Sequence, residues 1–98
     1  MKTIFCIKNG DNCELFMSLK GMANWLISQK PINNKFYTLS GICGETRNYF
    51  DITSDNLKRV MEESNDDCGL CAYIRIEQNF FIKNIVTGYI LSTINVND

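Results

Sequence analysis

An alternation of apolar and polar residues near the carboxyl end constrains the fold of this chain more than any other feature. Between residues 70 and 77 the apolar side chains are Leu70, Ala72, Ile74 and Ile76, and those between them are Cys71, Tyr73, Arg75 and Glu77. A period of two residues is the pattern of a β-strand with one buried face. We predict a turn at Gln78 and Asn79, then an almost continuous apolar strand with a bulge or bend at Gly88. These strands are expected to form the centre of a sheet.

The rest of the chain reads as two units, each a hairpin followed by a helix. The first unit has predicted strands over 2–8 and 13–17, and a helix over 19–29 that Ser18 caps and Pro31 ends. The second has strands over 36–42 and 48–52, and a helix over 54–64 capped by Thr53 or Ser54.

The order ββαββαββ, with a further strand segment after Gly88, predicts an α+β fold. We expect one compact domain over residues 1–98, with two short helices on one face of a mostly antiparallel sheet, in two layers. Two short helices cannot cover seven strand segments. Part of the other sheet face is therefore expected to be exposed or to be covered by a partner.

The composition argues against catalysis and points to a low-GC source. The chain has no histidine, so the usual general base near neutral pH is missing, and no motif supplies a substitute. Asparagine and isoleucine, which share AT-rich codons, occur twelve times each. A phage or mobile element of a low-GC bacterium fits this composition. The amino-terminal apolar run is short and no window could span a bilayer, so we expect a cytoplasmic protein, in a bacterial host cell if it is phage-derived.

The cysteines suggest a second interpretation. The motif Cys68-Gly69-Leu70-Cys71 has the spacing of a zinc knuckle, but the other ligands would have to come from Cys6, Cys13 or Cys43. Five cysteines, an odd number, favour reduced thiols over a disulfide framework. A zinc-binding or thiol protein that uses Cys68 and Cys71 is thus an alternative to our main prediction, which includes no cofactor.

Charge is unevenly distributed along the chain. The net charge is −1, with an excess of basic residues in the first half and of acidic residues in the second. This distribution argues against nonspecific nucleic-acid binding. The acidic residues around the end of the second helix are Glu62, Glu63, Asp66 and Asp67, and they form either a solvated patch or a contact for a basic partner.

A single-stranded nucleic-acid binder nevertheless remains a further alternative. The segments Lys35-Phe36-Tyr37 and Arg47-Asn48-Tyr49-Phe50 place aromatic residues beside basic ones on neighbouring strands, as sheet-face binders do.

The chain has more apolar side chains than one face of the sheet can bury. Phe80-Phe81-Ile82 must present bulky groups on both strand faces, and Trp25 falls outside the stripe of the first helix. We therefore predict a small non-enzymatic protein-binding domain, for example an inhibitor that occupies the surface of a host defence protein, with a homodimer as another possibility. The predicted contact residues are Glu62, Glu63, Asp66, Asp67, Phe81, Tyr89 and Trp25.

Overall fold

The computed structural model describes residues 2–64, 71–80 and 83–96. Its six strands are β1 (Lys2–Asn9), β2 (Asn12–Phe16), β3 (Lys35–Ser40), β4 (Thr46–Asp51), β5 (Cys71–Phe80) and β6 (Lys83–Val96). Its helices are α1 (Leu19–Ser28) and α2 (Ser54–Glu63), with a short 3-10 turn at Ile32–Asn34 between α1 and β3. The predicted order ββαββαββ and the α+β class are confirmed.

The six strands form one antiparallel sheet in the order β2-β1-β6-β5-β3-β4. The pair β5 and β6 lies at its centre, as the alternating pattern predicted. The amino-terminal strand β1 pairs with the carboxyl-terminal strand β6, and the hairpin of β3 and β4 joins the sheet through β5. Strands that are distant in sequence therefore become neighbours.

Two local predictions about the central strands were wrong. Gln78 and Asn79 do not form a turn, because they pair with Ile85 and Asn84 as part of a longer hairpin. Gly88 does not form a bulge, because it lies in regular register opposite Arg75. Within the described residues the sheet therefore has six strands rather than seven segments.

Gly88 instead makes room for an aromatic ring. A β-carbon at this position would lie 2.0 Å from the hydroxyl oxygen of Tyr73, so the tyrosine ring lies directly over the glycine. A ring that covers a strand glycine replaces the packing that the missing side chain would provide.

Side-chain caps begin both helices. The Ser18 hydroxyl accepts a hydrogen bond from the Gly21 amide at 3.1 Å, and the Thr53 hydroxyl accepts one from the Asn56 amide at 3.2 Å. Each bond satisfies an amide that the first helical turn leaves without a partner. The predicted cap at Ser18 is confirmed, and Thr53 rather than Ser54 caps α2.

Both helices lie on the same face of the sheet and share one core with it. Their buried side chains are Met22, Ala23 and Leu26 from α1 and Leu57, Val60 and Met61 from α2. The sheet contributes Ile7, Phe36, Ala72, Ile74, Ile76, Tyr89 and Leu91 to the same cluster. Burial of these apolar side chains is the main source of stability. Ile27 of α1, in contrast, is exposed.

Candidate functional site

The sheet has a second face, opposite the helices, on which no other described element packs. Partners in an antiparallel register point to the same side, so each strand residue can be assigned to a face. Leu91, which is fully buried, lies on the helix side together with Ile7 and Ala72. The adjacent residue Ile90 lies on the other side and is 47% exposed. We call this second side the open face.

One half of the open face is aliphatic. It is formed by β2, β1 and β6, and its apolar side chains are Leu15, Ile4, Val86, Ile90, Ile94 and Val96. Ile4 and Ile94 lie directly opposite each other on paired strands, and all of these residues except the half-buried Ile4 are exposed. We call this the aliphatic half. Exposed apolar side chains grouped on one face are typical of a contact surface.

The other half of the open face carries tyrosines and arginines. It is formed by β5, β3 and β4, and we call it the tyrosine half. The guanidinium carbon of Arg47 lies 4.9 Å from the ring centre of Tyr37, and that of Arg75 lies 5.0 Å from the ring centre of Tyr73. Both distances are within the range of cation–π attraction. Tyr37 is buried under its neighbours, whereas Tyr49 and Tyr73 are about half exposed.

Polar contacts fix the side chains of the tyrosine half. The Tyr49 hydroxyl donates a hydrogen bond to Glu77 Oε1 at 2.9 Å, and Arg47 Nη1 lies 3.6 Å from the same oxygen. The pKa of Arg47 is raised, first by its hydrogen bond to the Tyr49 hydroxyl. At the edge of the sheet, Lys35 Nζ forms an ion pair with Asp51 at 2.6 Å. The tyrosine half therefore presents a prearranged surface.

Strand pairing collects positive charge on the open face. Its basic residues are Lys2, Lys8, Lys35, Arg47 and Arg75, and its acidic residues are Asp51 and Glu77. Over the described strands the difference gives this face a net charge of +3, although the whole chain carries −1. The open face is thus both apolar and basic.

Two of the predicted contact residues lie on the helix side of the sheet. Tyr89 is buried in the core, with only 4% of its surface exposed, so in this structure it presents almost no surface to a partner. Trp25 is half-buried, with its ring 5.6 Å from that of Tyr89 and 6.2 Å from that of Phe16. Trp25 therefore lies beside the buried apolar side chains of α1 and packs against the ring of Tyr89.

The predicted acidic cluster is only partly described. Glu62 and Glu63 are exposed near the end of α2, where they form ion pairs with Lys58 and Arg59 one helical turn earlier. Such exposed pairs contribute little to stability. Asp66, Asp67 and Phe81 lie outside the described residues, so their role as contacts stays a prediction.

The thiol alternative is likewise partly described. Cys68 lies outside the described residues, and Cys71 begins β5, with its sulfur 3.8 Å from the Ser64 carbonyl oxygen. Within residues 2–64, 71–80 and 83–96, no three cysteine, aspartate or glutamate side chains cluster as metal ligands would. Cys6 and Cys13 do come together, with their sulfurs 2.9 Å apart across the β1–β2 hairpin.

The segments expected to bind nucleic acid do lie on neighbouring strands, but their aromatic residues divide between the two faces. Tyr37, Tyr49 and Arg47 lie on the open face. Phe36 and Phe50 stack on the helix side, with their rings 5.3 Å apart, and belong to the core. Half of the expected stacking surface is therefore structural.

Most residues of the aliphatic half carry no distinctive local signal in the sequence. A signal for part of the open face was present, because Tyr73 and Arg75 occupy the alternate phase of the β5 pattern. Ile4 and Ile90 lie in strands that carry apolar residues on both faces. Their face is therefore set by pairing with other strands.

Comparisons with protein family models, with curated protein sequences and with solved structures found no match to this chain. In the described ranges, neither helix is long and apolar enough to cross a membrane.

Proposed function

We propose that this chain is a protein-binding domain that contacts an acidic protein partner through the open face. The observation that carries the proposal is the group of exposed aliphatic side chains that share a sheet face which no described element covers. Removing such side chains from water on association is favourable by about 25 cal/mol per Å² of apolar area.

The charge of the open face favours an acidic partner. A face with a net charge of +3 attracts acidic side chains, which would surround an apolar centre on the partner. A second copy of this chain is less suitable, because two open faces placed together would bring like charges into contact.

The dimensions of the face suit such an interface. Six strands spaced about 4.8 Å apart span about 24 Å, and seven residues of a strand span about 24 Å in the other direction. The flat projection of this face is therefore about 600 Å². Its accessible surface is larger, because side chains protrude from the sheet, and so approaches the roughly 800 Å² that each partner buries in a standard interface.

Inhibition of a host protein would be one use of such a surface, since a bound domain excludes other ligands from the area that it covers. The AT-rich composition remains the reason to propose a phage or mobile-element source, with action in the cytoplasm of a bacterial host.

Site-specific photo-crosslinking tests the proposal. A photoreactive amino acid is placed at Ile90 on the open face and, as a matched control, at the exposed Lys58 on α2, in cells that express the chain. We expect a discrete protein adduct at Ile90 and none at Lys58. Replacing Arg75 by Glu should then reduce the adduct, whereas Arg59→Glu on α2 should not.

Other results would overturn the proposal. An adduct of the chain with itself would assign the open face to a homodimer, and a nucleic-acid adduct would assign it to the second candidate below. Absence of any discrete adduct at Ile90, or the same adducts at both positions, would mean that the open face is not a binding surface.

Single-stranded nucleic acid is a second candidate because Tyr49 and Tyr73 are exposed beside Arg47 and Arg75. Aromatic rings next to arginines are the elements that stack and hold unpaired bases. A labelled oligonucleotide should then bind with an affinity that falls steeply as salt rises, and Tyr73→Ala should weaken it. An affinity that does not depend on salt would exclude this candidate.

A further inference from the structure

The β1–β2 hairpin places two cysteines at a distance that suits one particular reaction. Cys6 on β1 and Cys13 on β2 both lie on the open face, diagonally across the hairpin, and their sulfurs are 2.9 Å apart. A two-residue loop of Gly10 and Asp11 joins the strands, with Gly10 at φ +61°. This tight turn holds the register that brings the two thiols together.

The sulfur separation distinguishes a disulfide from a shared metal ion. A disulfide bond is about 2.05 Å long, so the sulfurs need to approach by only about 0.9 Å. Two thiolates on one tetrahedral zinc ion lie about 3.8 Å apart, since each Zn–S bond is about 2.3 Å. In the described part of the chain these two thiols also lack the further ligands of a zinc site.

We propose that Cys6 and Cys13 form a reversible disulfide across the β1–β2 hairpin, which makes this pair a site of oxidative modification. The proposal concerns the chain itself and does not depend on the function proposed for the open face. It differs from the thiol alternative of the sequence analysis, which used Cys68 and Cys71.

The environments of the two thiols assign their roles. Cys13 is exposed and can meet a small-molecule disulfide, whereas Cys6 is only 2% exposed. Burial and the neighbouring Cys13 raise the pKa of Cys6, although Ser92 and Lys8 act in the opposite direction. Cys13 is therefore the attacking thiol and Cys6 the resolving one, because nucleophilic attack requires an accessible thiolate.

The oxidant is a small-molecule disulfide such as oxidised glutathione, and the reaction has two exchange steps. The Cys13 thiolate attacks one sulfur of the oxidant, breaks its disulfide bond and releases one glutathione thiolate. The Cys6 thiol then loses its proton, and its sulfur attacks the Cys13 sulfur and releases the second glutathione. In total the two cysteines lose two protons and two electrons, and the oxidant is reduced to two thiols.

Mass spectrometry of the oxidised chain tests the proposal. The reduced full-length protein is treated with oxidised glutathione, quenched with N-ethylmaleimide and digested with trypsin, which cleaves after Lys8 between the two cysteines. We expect the two peptides to be joined by a disulfide, with a mass loss of two hydrogen atoms, and dithiothreitol to separate them.

Single variants test the order of attack. Cys6→Ser should leave Cys13 carrying a stable glutathione adduct, because the resolving thiol is missing. Cys13→Ser should leave Cys6 without an adduct, because it is buried. Since Cys6→Ser places a hydroxyl in a buried position, Cys6→Ala serves as a second variant at that site. Cys43→Ser replaces another exposed cysteine and should preserve the Cys6–Cys13 link.

Three results would overturn the proposal. One is a wild-type protein in which both cysteines are fully alkylated after oxidation. Another is a stable glutathione adduct on wild-type Cys13. The third is a disulfide that joins either cysteine to Cys43 or Cys71.

Discussion

The assignment of the two sheet faces can be tested with adjacent residues of β6. Leu91 is fully buried against the helices, whereas Ile90 is 47% exposed on the open face. Truncation of a fully buried leucine to alanine costs about 3 kcal/mol, because apolar contacts are lost and a cavity forms. Ile90→Ala should cost only about 1 kcal/mol, since burial of an isoleucine contributes about 1.5–3 kcal/mol and half of this side chain already contacts water. The expected difference is therefore about 2 kcal/mol.

Urea unfolding measures this difference, with fluorescence as the probe. Trp25 is the sole tryptophan and packs against Tyr89 and Phe16, so its emission should change when the core opens. With an m-value of about 1 kcal/mol per M, the unfolding midpoints of Leu91→Ala and Ile90→Ala should differ by about 2 M.

The protein concentration must be varied in the same experiment. An Ile90→Ala cost that is large only at high concentration would reveal a dimer that buries the open face. A cost equal to that of Leu91→Ala at all concentrations would refute the assignment of faces.

Three further predictions follow from individual side chains. Burial raises the pKa of Tyr89 above its ordinary value, because the folded protein favours the neutral, protonated hydroxyl. This preference contributes fully to stability below about pH 10, and the contribution is lost as the pH rises through the raised pKa. The thermal midpoint of Tyr89→Phe should therefore fall less between pH 9 and 11 than that of wild type, and an equal fall in the two proteins would contradict this reasoning. Thr53→Ala removes the cap of α2 and should cost about 1 kcal/mol in urea unfolding, whereas Thr53→Ser should keep most of the stability; equal losses would argue against capping. Replacing Glu62 and Glu63 by Gln breaks two exposed ion pairs of α2 and should cost less than about 1 kcal/mol in total, so a collapse of the thermal midpoint would show that these residues are structural.

Much of the fold could be predicted because its signals are local. Ser18 and Pro31 delimit α1, and the alternation from Ala72 to Ile76 identifies β5 and its buried phase. The errors arose where the local signal was ambiguous. Gln78 and Asn79 are polar enough for a turn, yet a longer strand pairing prevails there. Gly88 suggested a bulge because a glycine within a strand often marks one. The Tyr73 ring that covers Gly88 belongs to another strand, so the local pattern could not show it.

The candidate site was less predictable, because its residues share a surface only through strand pairing. Tyr89 lies in an apolar run in which neither phase is polar, so the pattern could not show that it faces the helices. Arg47 and Arg75 are far apart in sequence, and the antiparallel pairing of β3 with both β4 and β5 places them on one face.

The sequence by itself determined the order of strands and helices, the Ser18 cap of α1 and the buried phase of β5, since these depend on interactions between residues a few positions apart. The tertiary structure alone decided the strand order β2-β1-β6-β5-β3-β4. That order produces the aliphatic half, the net positive charge of the open face and the position of Tyr89 under Trp25. The physical reason is that a strand's period of two residues specifies two faces but names neither the neighbouring strands nor the face that the helices will cover.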